Sequence, residues 1–111
     1  MNAPLCLVLT TVATREDADR LARAMVEQRL AACAQISAID SVYRWNGALQ
    51  QEPEWRLLFK TTEARTPALQ AALRAEHPYE LPAIVALPCS HALAEFAAWV
   101  GDETQAAALS Q

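Results

Sequence analysis

Glycine is scarce in this sequence, which contains only Gly47 and Gly101. Loops that hold dinucleotides or phosphates need several glycines at short, fixed spacings. The scarcity therefore excludes a Rossmann fingerprint and a P-loop. Neither of the two histidines has a nucleophile at a spacing typical of a catalytic motif. We therefore expect no enzyme activity and no required cofactor.

Positive charge is also in short supply. Nine basic residues face thirteen acidic ones, for a net charge of −4. This balance argues against a nucleic-acid surface and against a polybasic membrane-binding surface. No apolar run approaches the ~20 residues of a membrane-spanning helix, and the first residues lack the basic segment of a secretory signal. We expect neither nucleic acid nor a membrane as a partner.

The cysteines do not suggest disulfide bonds. Cys6, Cys33 and Cys89 are odd in number, far apart and never arranged as Cys-x-x-Cys. Such usage favours reduced thiols and a cytoplasmic location. Within a buried apolar strand, Cys6 is interpreted first as a small hydrophobic residue.

Apolar patterning predicts four strands and three helices. The predicted strands cover residues 5–9, 34–45, 54–62 and 82–87, and the predicted helices cover residues 15–30, 66–77 and 92–100. Thr14 and Asp17 form a capping box at the first helix, and Thr66 is the expected N-cap of the second. Asn46-Gly47 predicts a tight hairpin, and Gly101 is the expected helix stop. A slip in the apolar phase near Ala38 suggests a bulge or a change of covering partner.

This order of elements predicts an α+β fold, a ferredoxin-like split βαβ sandwich with an added C-terminal helix. We expect an antiparallel sheet in the order 4-1-3-2, with the first two helices on one face and a long β2–β3 hairpin. Residues 1–111 form one domain, with a core at about 5–101 and a tail at 102–111 that is either helical or frayed. Three tryptophans on so small a body suggest cover from another subunit.

The topology also separates the candidate metal ligands. The three cysteines fall at one end of the sheet, whereas His77 falls at the other end with the hairpin tip. A site that combines His77 with Cys89 therefore needs two subunits. Cys89 and His91, with Cys6 in reach, form a local pair of soft ligands that suits copper(I) or zinc. The alternatives are that His77 only caps the second helix and that the hairpin aromatics only pack at an interface.

Several segments resemble the CutA family of divalent-cation tolerance proteins. They are Leu-Ala-Ala-Cys-Ala at 30–34, Ser-Val-Tyr-Arg-Trp-Asn-Gly at 41–47, Lys-Thr-Thr at 60–62 and His-Pro-Tyr-Glu-Leu-Pro at 77–82, followed by Phe96 and Trp99 in the last helix. The match covers about residues 5–101. It implies a homotrimer that resembles the PII signal proteins, with a hairpin that reaches its neighbours. It also implies a role in tolerance of copper and other divalent metals.

The resemblance also suggests site residues. It implies metal ligands at His77, Glu80 and Cys33, and an intersubunit cleft lined by Tyr43, Trp45, Lys60 and Tyr79. Cys89 stands where the family is often aliphatic, and Ala92 stands where many members have glycine. The favoured hypothesis is a trimeric protein that binds copper or another divalent cation at intersubunit clefts. The alternative is a PII-like scaffold or sensor that binds a small molecule or a partner protein without a metal.

Overall fold

The computed structural model describes residues 3–105. Its strands are β1 (Leu5–Val12), β2 (Cys33–Trp45), β3 (Ala48–Thr62) and β4 (Ile84–Pro88), and its helices are α1 (Arg15–Glu27), α2 (Thr66–Glu76) and α3 (Ala94–Glu103). Within residues 3–105, no helix is long and apolar enough to cross a membrane. Most of the predicted tail, residues 106–111, lies outside the described part.

The four strands form one sheet in the order β2-β3-β1-β4, and all three pairings are antiparallel. This order is the predicted 4-1-3-2 order read from the other edge. The ferredoxin-like α+β fold is therefore confirmed. The order leaves β2 and β4 as the two edge strands of the sheet.

The main core lies between the sheet and helices α1 and α2. Alternation along β1 directs Val8 and Val12 to this side, where they meet Leu21 of α1 and Leu73 of α2. All four side chains are fully buried, and each contributes about 2 kcal/mol to burial free energy. A smaller cluster, built on Leu5, Ala32, Ala97 and Val100, packs α3 against one end of the sheet.

The opposite sheet face is apolar and partly uncovered. The register places Leu9 beside Leu58 and Val85, and places Leu87 beside Leu7. Because paired residues direct their side chains to the same face, these five residues share the side that faces away from α1 and α2. We call them the open face. Val85 is 52% exposed and Leu87 is 47% exposed.

The hairpin follows its turn signal and is longer than predicted. Asn46 (φ 50°) and Gly47 (φ 78°) both have positive φ, as a tight hairpin turn requires. β3 begins at Ala48 rather than at residue 54, because the turn imposes pairing on a polar stretch that shows no strand pattern. The predicted bulge is wrong, since the β2–β3 register is continuous. Ile36 packs into the main core. Ile39 lies three residues later in the same strand, so its side chain points to the opposite face of the sheet.

Other helix and strand boundaries also differ from the predictions. Thr14 caps α1 as expected, since its hydroxyl accepts the Asp17 N–H at 3.1 Å. Thr66 is not an N-cap: it lies in the first turn of α2 and donates to the Thr62 carbonyl at 3.0 Å. Gly101 does not end α3, which continues to Glu103. β4 covers Ile84–Pro88 instead of residues 82–87.

Candidate functional site

His77 lies at the end of α2 and is buried against β1. Its Nε2 is 3.0 Å from the Thr11 carbonyl oxygen and 3.0 Å from the Thr10 hydroxyl. Its Nδ1 accepts a hydrogen bond from the Tyr79 N–H at 3.1 Å. Because Nδ1 accepts, the network assigns the proton to Nε2, which donates to the Thr11 carbonyl. The ring is therefore neutral and ties the segment after α2 to β1.

Burial lowers the pKa of His77 below its ordinary value of 6.5. The Thr11 carbonyl and the Asp17 carboxylate act in the opposite direction, and Arg20 and Arg74 add to the lowering. Protonation would also cost the hydrogen bond from Tyr79, because a charged ring has no free acceptor. These contacts explain why the ring stays uncharged.

Tyr79, which contacts His77, belongs to one of two tyrosine–glutamate pairs. The Tyr79 hydroxyl donates to Glu54 Oε2 at 2.6 Å, and the Tyr43 hydroxyl donates to the Glu52 carboxylate. The bond to Glu52 raises the pKa of Tyr43 above 10. Burial, followed by the bond to Glu54, raises the pKa of Tyr79. Both phenols therefore stay protonated near neutral pH, and the negative charge rests on the carboxylates.

These side chains line a cavity of about 990 Å³ between the β2–β3 hairpin and residues 78–83. We call it the hairpin cavity. Its lining includes three aromatic residues and three glutamates: Tyr43, Trp45 and Tyr79, with Glu52, Glu54 and Glu80. None of the described lining residues is basic. Three of the predicted cleft residues, Tyr43, Trp45 and Tyr79, are thus brought together within one chain.

Lys60 and Cys33 lie elsewhere. They are direct partners in the β2–β3 register, at the end of the sheet away from the hairpin turn. The Lys60 ammonium lies 5.6 Å from the centroid of the Phe96 ring. One chain therefore does not place Lys60 in the hairpin cavity or Cys33 near His77. Their inclusion in a shared cleft depends on a neighbouring subunit and stays a prediction.

The three cysteines do lie at one end of the sheet, but on different sides of it. Cys6 is 3% exposed and belongs to the main core, in agreement with its interpretation as a small hydrophobic residue. Cys89 packs against the cluster under α3. The backbones of Cys6 and Cys89 are neighbours as predicted, since Cys6 pairs with Pro88 and the Cys89 N–H donates to the Leu5 carbonyl at 3.0 Å. Their side chains pack in different clusters and do not form a shared ligand pair. His91 is exposed, with Nδ1 3.2 Å from the Ser90 hydroxyl.

The donors of a single chain do not fit a metal ion. Among residues 3–105, no group of three or more His, Cys, Asp or Glu side chains is arranged to hold one. Both ring nitrogens of His77 are occupied by protein partners. Glu52 and Glu54 each bind a tyrosine hydroxyl. The sequence patterns single out neither glutamate: Glu52 lies before the predicted strand at 54–62, and Glu54 begins that strand with no signal that relates it to a tyrosine.

The fold and the cavity together define an α+β protein of the ferredoxin-like class with an extended β-hairpin beside an acidic, aromatic cavity. Residues 6–103 match the family model described as CutA1 divalent ion tolerance protein. The chain belongs to this family, as its sequence motifs predicted.

Relatives and solved structures agree with this assignment. The chain is 42% identical over 99 residues to the divalent-cation tolerance protein CutA of Thermus thermophilus, a match that covers 88% of this chain and 96% of the relative. It superposes on CutA of Synechococcus elongatus with a TM-score of 0.90, 40% identity and 95% coverage of both chains. A protein of Archaeoglobus fulgidus described as periplasmic divalent cation tolerance protein CutA gives a TM-score of 0.88 at 29% identity, covering 91% of this chain and 99% of that one.

Proposed function

We propose that this chain acts in divalent-cation tolerance as a homotrimer with one hairpin cavity per subunit. The main support for a trimer is the open face, which is apolar and partly exposed in one chain. A continuous apolar sheet surface next to unpaired edge strands is typical of a subunit interface. An edge of one subunit that meets a different edge of the next generates a closed ring when the rotation between neighbours closes after three copies. Sedimentation equilibrium tests this proposal directly, with three subunits expected.

We further propose that copper or another divalent cation binds at the boundary between subunits. Residues 3–105 hold no fitting set of donors, so Glu80 needs ligands from a neighbour, such as Cys33 or the Cys89–His91 pair. His77 joins such a site only if its Nδ1 gives up the Tyr79 N–H. Copper titration of wild type, Cys33→Ser and His91→Ala tests this site. The Cys33 and His91 variants leave the hydrogen bonds of His77 in place, and His77→Ala completes the series. Identical titrations in all four proteins would reject these ligands.

The second candidate function is a PII-like sensor that binds a small molecule without a metal. The lining of the hairpin cavity favours it, because aromatic side chains with a few polar groups are typical of small-molecule pockets. A thermal-shift screen of metals, nucleotides, inorganic anions and organic cations separates the two candidates. A ligand that binds only the native state raises the midpoint of unfolding, and the rise grows with the logarithm of the ligand concentration relative to its Kd.

A further inference from the structure

We propose that the hairpin cavity binds a small organic ammonium cation. This inference rests on the second proposed function, that the cavity takes a small molecule, and names its chemical class. Three glutamates and three aromatic rings line the cavity, and none of its described lining residues is basic. The charge and the lining point to the same ligand.

The negative charge of the cavity is not neutralised within the described chain. The four ion pairs among residues 3–105 use other carboxylates: Asp17, Asp19, Glu76 and Glu103. Glu52 and Glu54 accept hydrogen bonds from neutral phenols, which orient the carboxylates and leave their charge in place. The Arg74 guanidinium donates to the Glu80 carbonyl at 3.2 Å and opposes part of this charge. Three carboxylates against one guanidinium leave a net negative field within the chain, which attracts a cation and repels a phosphate or a nucleotide.

The aromatic rings supply the second part of the recognition. A ring face attracts an ammonium group most strongly when the ring is tryptophan, followed by tyrosine. Trp45 is 42% exposed and Tyr43 is 38% exposed, so both rings are accessible in the chain. Tyr79 is held by Glu54 and lies against the His77 ring, with 5.0 Å between the ring centroids. Tyr43 is likewise held by Glu52, so the rings of Tyr43 and Tyr79 are both held in place before a ligand binds.

The same geometry favours an organic cation over a bare metal ion. The phenols already occupy one oxygen of Glu52 and one of Glu54, and no metal-ligand group exists among residues 3–105. A volume of about 990 Å³ matches a small-molecule pocket. An alkylammonium needs no direct ligands, because its charge interacts with ring faces and carboxylates over van der Waals distances.

The test compares choline with its neutral isostere, 3,3-dimethylbutan-1-ol, by isothermal titration calorimetry on the full-length protein. Choline is expected to bind at least about fivefold more tightly than the isostere, from the cation–π contribution alone. Trp45→Leu and Glu54→Gln are each expected to raise the Kd for choline by a similar factor. Trp99→Leu is the matched control, because Trp99 is 44% exposed and lies on α3, away from the cavity. It should leave the Kd unchanged.

Each result has a definite meaning. Equal affinity for choline and its isostere, or an unchanged Kd in both Trp45→Leu and Glu54→Gln, overturns the proposal. If choline fails to bind while another small molecule binds and loses affinity in Trp45→Leu, the ligand class is wrong but the sensor function stands. If no small molecule binds, both are wrong. Circular dichroism and sedimentation of Glu54→Gln, which keeps an acceptor for Tyr79, exclude loss of fold as the cause.

Discussion

Tyr79 donates its backbone N–H to Nδ1 of His77 at 3.1 Å, while its hydroxyl reaches Glu54 on β3. A single tyrosine therefore joins the buried histidine to the acidic wall of the hairpin cavity. The other ring nitrogen of His77 binds the Thr11 carbonyl of β1. These hydrogen bonds connect the lining of the hairpin cavity to the central strand β1, and they require a neutral imidazole.

The first prediction concerns the contribution of His77 to the pH dependence of the free energy of unfolding. The pKa of His77 is lowered in the folded state, so the unfolded chain binds the proton more readily. The stability that His77 contributes is complete above its unfolded pKa of about 6.5 and is lost as pH falls toward the lower folded pKa. We expect the free energy of unfolding, measured with urea, to fall between pH 7.5 and pH 5.

Two variants isolate this effect. His77→Gln removes the titrating group and should flatten the decline, whereas the exposed His91→Gln should keep the wild-type slope. A decline of equal steepness in His77→Gln and wild type would mean that another group is responsible. The assigned histidine tautomer would then have no role in the pH dependence.

The second prediction concerns the phenols. Both hydroxyls donate to carboxylates, and both tyrosines have a raised pKa. The chain has only two tyrosines, so absorbance near 295 nm reports on them alone. At pH 10, where a free tyrosine is half ionised, we expect less phenolate in the folded protein than in the urea-unfolded chain. Glu54→Gln should shift the titration of one tyrosine downward, and an unshifted curve would disprove the pairing.

The third prediction compares the two pairs energetically. Tyr79→Phe deletes a donor to a half-buried carboxylate and is expected to destabilise the chain by about 1 kcal/mol. Tyr43→Phe removes an exposed pair and should cost less, because water replaces the lost donor. Urea denaturation of both variants gives the comparison. A larger loss of unfolding free energy in Tyr43→Phe than in Tyr79→Phe would contradict the assignment of Tyr79–Glu54 as the more buried pair.

The fourth prediction uses the two glycines. Gly47 has φ +78° and Gly101 lies in α3, and a Cβ at either position meets nothing within 4 Å. Gly47→Ala is expected to destabilise by about 1 kcal/mol through backbone strain alone. Gly101→Ala is expected to stabilise by about 0.5–1 kcal/mol through helix propensity. Thermal unfolding of both variants checks the opposite signs, and two shifts in the same direction would contradict the account.

Most of the fold was predictable because short-range signals agreed with one another. The Thr14 cap and the Asn46-Gly47 turn are local devices that act through their own backbone. The strand at residues 48–53 is not predictable from its own sequence, because that segment lacks the alternating apolar residues typical of a strand. Its conformation comes from pairing with β2. Gly101 was misread as a stop, since the following residues extend the helix and Thr104 bonds back to the Val100 carbonyl at 2.8 Å.

The site was predictable in part for the same reason. The family motifs suggest Tyr43, Trp45 and Tyr79 for an intersubunit cleft, and one chain brings these three to a single cavity; that the cavity is shared between subunits stays a prediction. Glu52 and Glu54 became visible only when the register placed them beside the tyrosines. Lys60 lies at the other end of the sheet within one chain, so its place in a cleft shared between subunits stays a prediction.

The central claim is that the open face is buried between copies of the chain, and sedimentation equilibrium of Val85→Glu tests it most directly. Val85 is 52% exposed within one chain, so a carboxylate there is tolerated by the isolated subunit but not by a buried interface. Wild type and the control Ala68→Glu, on the exposed side of α2, are expected to sediment as trimers, and Val85→Glu as a folded single subunit. A trimeric Val85→Glu protein, or a monomeric wild type, would contradict the account.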